Sequence, residues 1–395
     1  MAEDLRAPHP LPEFRRASVD GYAVRASDTF GAGDSLPAYL TVIGESPMGA
    51  IPTFTVGIGQ CGLIHTGGML PSGADAVVML EYTQRVSGAG PRNPGDLSEP
   101  GRALMGEIEV HRAVAHGENV IEVGEDVAKD QVVLAAGTHV RPAEIGGLMA
   151  LGIAELRVVT RPQVGLVSTG DEVVPAARRP GPGQVRDVNT HTLAALVEKT
   201  GGRAMPYGIV QDDFAALQAV SRRALEECSL VLITAGSSAS TRDMTAEVIN
   251  TLGRPGVLAH GINTRPGKPT ILGVCDGTPV IGLPGNPLSA LVNGYLFVVP
   301  VIERLLGAIP RPRPTILAEL TVNLSSQAGR EDWWPVRLLP SPAEGPGSDQ
   351  VRFRAEPIFG KSNLIFNLAA ADGLLKIAAD ATGLHAGDFV EVLLI

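Results

Sequence analysis

Cysteine is scarce in this chain. Cys61, Cys228 and Cys275 lie far apart, and no C-x-x-C pair occurs. That excludes a zinc ribbon and a disulfide framework and fits a reducing compartment. Aromatic residues make up only 4%, so the core must be built from Val, Leu, Ile and Ala. Long apolar runs are missing too. The longest, Leu296 to Val301, is broken by Pro300 and falls short of the ~20 residues that a membrane span needs. The first twenty residues carry acids, arginines and prolines in place of a signal peptide's apolar run. These absences predict a soluble cytoplasmic protein with no membrane partner. No H-E-x-x-H occurs, and His111 and His116 do not make a metal pair. Basic charge is in deficit: 32 Lys+Arg stand against 42 Asp+Glu, a formal net charge of −10. A chain of that sign is no general nucleic-acid binder, although a local basic pocket for a small anion is compatible with it.

What is present points to a folded, multidomain chain. At about 150 residues per domain, 395 residues predict two to four domains. The 47 glycines and 31 prolines show no Gly-X-Y period and imply many tight turns. Residues 1–30 read as an extended, Pro-rich segment. Residues 36–86 are β-rich, and 87–105 form a Gly/Pro/Ser loop at the tip of a hairpin. A helix is predicted from Pro142, carrying Ile145, Leu148 and Met149 and stopping at Gly152. From residue 157 apolar strands alternate with helices, the pattern of βαβ units and a mainly parallel sheet. One helix starts with Asn189 or Thr190 as its cap, and a long helix runs from Pro287 to Leu306. Asp276-Gly277 marks a hairpin. The last ~85 residues lose the alternation and read as a small β-domain.

In an open parallel sheet, ligands bind beyond the carboxyl ends of the strands. Three strands here end in short Gly-bearing loops: Ser168-Thr169-Gly170-Asp171-Glu172, Thr234-Ala235-Gly236-Ser237-Ser238 and Leu283-Pro284-Gly285-Asn286-Pro287. Each precedes a helix, so the three together predict one oxyanion pocket. Read singly, each glycine merely ends a strand. Arg265-Pro266-Gly267-Lys268-Pro269 sets two cations on a Pro-stiffened turn. It is not a Walker A loop, because Pro269 takes the Ser/Thr place and a strand follows. A solvated turn is the plainer reading. Asp171, Glu172, Asp212, Asp213 and Asp243 lie at loop ends, either as Mg²⁺ or ligand carboxylates or as helix caps, a role open to Asp213 and Asp243. No Ser-His-Asp arrangement is legible.

The ordered set "SVDGYAVR", "HTGGMLPSGADAVVMLE", "GEDV", "RPAEIGGLMALGI", "STGDE", "RPGKP" and "GLPGNPLSA" resembles the MoeA/gephyrin family of molybdopterin molybdenumtransferases. The resemblance runs from about residue 3 to the C-terminus. It implies a multidomain α/β plus β protein. A discontinuous linking domain would take 1–30 and 131–160, and an inserted β-rich domain 31–130. A MogA-like three-layer α/β domain that binds molybdopterin would take 161–308, and a C-terminal β-barrel-like domain 309–395. It also implies a homodimer whose cleft joins the α/β domain of one subunit to the inserted domain of the other. The implied reaction is Mg²⁺-dependent insertion of molybdate into adenylylated molybdopterin with release of AMP. A MogA-like adenylyltransferase and molybdoenzymes would be its partners.

Carried over by motif, Asp20 and Thr66 would line the cleft from the partner side. Ser168, Thr169, Gly170, Asp171 and Glu172 would form a wall. Asp212 and Asp243 would hold metal or pterin, the metal carboxylates being Asp171, Glu172 and Asp243. Arg265 and Lys268 would face oxyanion oxygens. Gly236, Ser237 and Ser238, and Pro284, Gly285, Asn286 and Pro287, would cradle the pterin or its phosphate. The family usually carries a Gly-Gly-Val-Ser-x-Gly-type loop where this chain has Ala235-Gly236-Ser237-Ser238-Ala239-Ser240, and often Lys where it has Arg265. It also usually has an N-terminal helix before "AEDL". The changed serine loop is the feature that favours the other reading, a non-catalytic molybdopterin-binding or scaffolding relative.

Overall fold

The computed structural model describes residues 1–86, 106–235, 239–342 and 351–395. The chain divides into two compact units, essentially 3–157 and 158–395, and each is described by itself.

The first unit is built on one six-stranded sheet. Its strands are β1 (Gly21–Val24), β2 (Ala38–Glu45), β3 (Gln60–Ile64), β4 (Ala76–Met79), β5 (Thr83–Arg85) and β6 (Gly106–Val110), in spatial order β4-β1-β3-β2-β6-β5. Alternation along β1 sends Tyr22 and Val24 into one apolar cluster and Ala23 into another. β5 and β6 pair antiparallel, as expected for a hairpin whose tip, 87–105, lies outside the described residues. The Pro-rich start is extended: Leu5–Arg6 pairs with Val132–Leu134 and Arg16–Ala17 with Val120–Ile121. Helix α1 (Pro142–Ala150) starts at the expected proline, and Gly152 follows at φ +69°. It buries Leu148 but leaves Ile145 and Met149 more than half exposed.

The second unit opens with an α/β layer structure. β7 (Gln163–Thr169), α2 (Asn189–Thr200), β8 (Arg203–Val210), α3 (Phe214–Glu227), β9 (Leu230–Ala235) and α4 (Ala239–Leu252) come first. β10 (Pro255–His260), the short β11 (Thr264–Arg265), β12 (Ile271–Cys275), β13 (Thr278–Pro284), α5 (Pro287–Asn293) and α6 (Val299–Leu305) complete it. The sheet order is β8-β7-β9-β13-β12-β10, with the first four strands parallel and the last two antiparallel. β9 is apolar on both faces. Val231 and Ile233 pack with α3 and α4, whereas Leu230 and Leu232 pack with α2 and α6, the signature of a sheet covered on both sides. β12 and β13 turn at Asp276 (φ +49°) and Gly277 (φ +92°), so the expected hairpin forms.

Three local details differ from expectation. The cap of α2 is neither Asn189 nor Thr190: both are helical, and Asp187 Oδ1 accepts the Thr190 N–H at 3.0 Å. Asp243 caps nothing, because α4 begins at Ala239 and puts it in the second turn. The long helix widens to a π turn over Gly294–Val298, since Pro300 has no N–H for the usual i−4 bond. The whole helical run Pro287–Leu305 is nevertheless long and apolar enough, by length and composition, to cross a membrane. Val298 and Ile302 are fully buried against the sheet, so it reads as a core helix.

The last strands are β14 (Thr315–Leu320), β15 (Glu331–Pro342), β16 (Val351–Pro357), β17 (Gly373–Ile377) and β18 (Phe389–Leu394), with α7 (Ile365–Ala369) before β17. They pair around a ring, β15-β16-β14-β18-β17 and back to β15, a closed five-stranded barrel. β11 extends that ring: Thr264 pairs with Glu331 and Arg265 with Asp332, in parallel. Leu288 and Val292 of α5 share an apolar cluster with Leu368 and Leu374 of the barrel.

The three cysteines are free and buried, and burial pushes the Cys61 thiol up to about 12. At pH 8 roughly one Cys61 in ten thousand is then thiolate. A thiol reagent is expected to label none of the three in the native protein and all three in guanidinium; fast native labelling would contradict this packing. The 265–269 turn supplies a second test. Gly267 sits at φ +108°, and a Cβ there would lie 1.7 Å from Asn293 Nδ2, which itself donates to the Pro266 and Ser289 carbonyls. Gly267→Ala is expected to cost about 3 kcal/mol, a fall in melting temperature of about 6–12 °C.

Candidate functional site

The parallel strands end along one edge of the α/β sheet, and neighbouring ends are in register: Thr169 with Val210, Ser168 with Thr234, Ala235 with Pro284. The third expected loop, 236–238, lies outside the described residues; among those residues, two hollows lie there. The first lies at the ends of β7 and β8, has a volume of 820 Å³, and is lined by Gly170, Asp171, Asp212, Arg178, Asp187 and His191 among others. The second, at 1020 Å³, lies between the end of β13, the 265–269 turn and the barrel. The start of α2 stands between them. Asp187 and His191 line the first hollow, while Asn189 Nδ2 donates to the Gly285 carbonyl at 2.9 Å, on the wall of the second.

The first hollow is mixed in charge. Gly170 is buried at φ +142°, where an L side chain is strained and a Cβ would meet the Glu172 carboxylate at 2.8 Å. Asp171 Oδ1 accepts the Asp212 N–H at 3.2 Å, so the two acids are held side by side. Ser168 and Thr169 are buried in the strand end behind them, and among the described residues no group pairs with the Thr169 hydroxyl. Asp213 takes the plainer of its two readings and caps α3, accepting the Ala216 N–H at 2.8 Å. Mg²⁺ binds through one or two carboxylates and fills its shell with water and phosphate oxygens. Asp171 and Asp212 match that donor set. Among the described residues no three His, Cys, Asp or Glu side chains form a closed metal site. Glu172 adjoins the hollow, whereas Asp243 is exposed on α4 and lines neither.

The second hollow is cationic. Arg265, Lys268, Arg330 and Lys361 line it against a single acid, Asp332. Asp332 is 1% exposed and is engaged by Arg330, Nε to Oδ1 at 2.8 Å and Nη2 to Oδ2 at 3.3 Å, with Arg265 Nη1 3.8 Å from Oδ2. Pro284, Gly285 and Asn286 form the opposite wall, and Pro287 opens α5. Asn286 Nδ2 donates to Ser362 Oγ at 3.0 Å, which ties this loop to the barrel. Arg330, Lys361 and Ser362 were missed by the sequence reading. Lysine scarcity was the one available signal, since two of the five lysines, Lys268 and Lys361, meet here.

Asp20 and Thr66 lie in the first unit and contact each other. The Thr66 N–H donates to Asp20 Oδ1 at 2.7 Å and its hydroxyl to the same atom at 3.1 Å. Those two bonds, with His65 nearby, hold the Asp20 carboxyl below its usual range. Gly236, Ser237 and Ser238 lie outside the described residues.

Comparison with known proteins agrees along the whole chain. Three family models match: MoeA N-terminal region (domain I and II) over 1–152, probable molybdopterin binding domain over 165–304, and MoeA C-terminal region (domain IV) over 318–395. A putative molybdopterin biosynthesis protein of Methanocaldococcus jannaschii is 33% identical over 410 residues, covering 100% of this chain and 89% of that relative. The molybdopterin molybdenumtransferase of Bacillus subtilis is 31% identical over 397 residues, covering 100% and 87%. A solved MoeA structure from Pyrococcus horikoshii aligns at TM-score 0.80 and 31% identity, covering 100% of this chain and 90% of that one. By these matches the chain belongs to the MoeA family.

Proposed function

We propose that this protein is a molybdopterin molybdenumtransferase. It takes adenylylated molybdopterin and molybdate, leaves molybdenum on the dithiolene sulfurs, and releases AMP. The observation that carries this reading is the second hollow, where four cations meet one buried acid in a chain of net charge −10. The group to be transferred is a tetrahedral dianion, and fixed positive charge is what such an ion requires. Arg265 and Arg330 offer forked N–H donors, and Lys268 and Lys361 offer point charges. Ser289 and Ser362 add hydroxyls on the same wall.

The first hollow suits the other substrate. Buried Gly170 allows close approach to the backbone at the β7 end, and Arg178 and His191 can meet phosphate oxygens. Asp171, with Asp212 beside it, would hold Mg²⁺; when bound, the ion offsets the phosphate charge and stabilises the leaving AMP. Glu172, which adjoins the hollow, is a further acid for this work, and Ser168 and Thr169 shape the wall; Asp243, exposed on α4, lines neither hollow and is given no part in it. The chemistry balances. Two dithiolene thiols surrender their protons to one molybdate oxygen, which leaves as water, and one water opens the phosphoanhydride. Asp20, with its carboxyl held ionised by Thr66, is a proton acceptor for the thiols in the homodimer reading, where it is contributed by a second subunit. The exposed Ile145 and Met149 on α1 support that reading. The protein acts in the cytoplasm alongside a MogA-like adenylyltransferase and the molybdoenzymes it supplies.

Purified protein with Mg²⁺ and adenylylated molybdopterin is expected to release AMP only when molybdate is added. AMP release without molybdate contradicts the molybdate-dependent assignment, and no release from well-folded protein with molybdate favours a non-catalytic pterin binder. Lys268→Ala is expected to raise the molybdate KM about tenfold, or about 1.4 kcal/mol, while the melting temperature stays within ~2 °C because the side chain is exposed.

A further inference from the structure

We propose that Asp332 is the positioning residue of the cationic hollow: it holds Arg265 and Arg330 in the orientation that captures a tetrahedral oxyanion. This rests on the reading of the second hollow as an oxyanion site. Asp332 belongs to the barrel, whereas Arg265 belongs to the α/β turn. The parallel pairing of β11 with β15 sets the two residues directly opposite one another. The carboxylate is 1% exposed, so it has lost its water and is stable only if its charge is met within the protein. Arg330 meets it through two N–H groups at 2.8 and 3.3 Å, and Arg265 approaches the second oxygen at 3.8 Å. The Arg265 guanidinium also lies 5.7 Å from the centre of the Trp334 ring. It thus lies between the carboxylate and the indole, with its side chain still half exposed towards the hollow.

An arginine carries five N–H donors. Asp332 occupies two on Arg330, which leaves three for a ligand. Without the carboxylate both guanidiniums would sweep many rotamers, and ordering them would oppose anion binding; with it, that ordering is completed on folding. Thr264, 5% exposed, lines the same hollow and carries a buried hydroxyl with no hydrogen-bond partner among the described residues.

The sign of one measurement separates positioning from mere charge. Asp332→Asn removes the only negative charge among the described lining residues, so Coulomb attraction alone would make molybdate bind more tightly. Positioning demands the opposite, because an amide cannot accept the arginine fork. Titration calorimetry with molybdate on the full chain, at about 0.1 M ionic strength, is expected to show at least a tenfold higher Kd for Asp332→Asn. Equal or tighter binding by that variant overturns the proposal. If Asp332→Asn lacks a cooperative melt, Asp332→Glu is the variant to read. It keeps the charge but moves the fork by a methylene, and is expected to bind at least threefold more weakly; wild-type affinity there overturns the proposal. A wild-type protein that binds no molybdate fails at the earlier step, the oxyanion reading itself, and the proposal falls with it.

Discussion

Four cationic side chains within one hollow repel one another, so the second unit depends on the contacts that hold them there. The main one is a two-residue pairing. Thr264 and Arg265 leave the α/β sheet and add to the edge of barrel strand β15, opposite Glu331 and Asp332. That short ladder brings Arg265 to the buried carboxylate that Arg330, two residues away on the same strand, already engages, so one acid serves two of the four cations. Asn293 steadies the turn from below through the Pro266 carbonyl, and Thr270 does so through the Gly267 carbonyl at 2.8 Å. The barrel is thereby part of the site as well as a neighbouring β-domain.

The α/β sheet contributes position of a different kind. Its four parallel strands place every loop between strand end and helix start on one edge. Helices cover both faces, as the alternation along β9 requires. Ligand access is left at that edge, and both hollows open there. The start of α2 joins them, since Asp187 serves as helix cap and as lining of one hollow while Asn189 braces Gly285 in the other.

Much of this was legible in the sequence because it is local. The β–loop–helix alternation, the Asp276-Gly277 turn and the 265–269 turn each depend on a few neighbouring residues. The parts that were not legible depend on distant pairing. Beyond the scarcity of lysine, the residues around Arg330, Lys361 and Ser362 announce no site, because their meaning comes from barrel closure, which brings residues 330–334 and 360–363 to face 263–269. The capping role left open for Asp243 beside its ligand role does not arise, because α4 begins at Ala239, five residues before the apolar pattern that starts at Met244. Asp187 was overlooked because a cap two residues outside the helix competes poorly, on paper, with an Asn at its first position. The apolar pattern of α1 correctly predicted a helix, yet most of its apolar side chains are not buried within this chain.

The division of the edge into two hollows has its own electrostatic logic. A phosphoanhydride and molybdate are both anions, and a single pocket would press them together. At 4 Å and an effective dielectric of 20, two unit charges repel by about 4 kcal/mol. β7 and β13 are separated by β9, so their ends lie about two strand spacings apart, roughly 9–10 Å. At that distance the repulsion per pair of unit charges falls below about 2 kcal/mol; for a dianion it is at least doubled, and the cations near each site must offset it. On the proposed reading, two anions anchored one in each hollow, with the α2 start between them, would repel less than two in a single pocket.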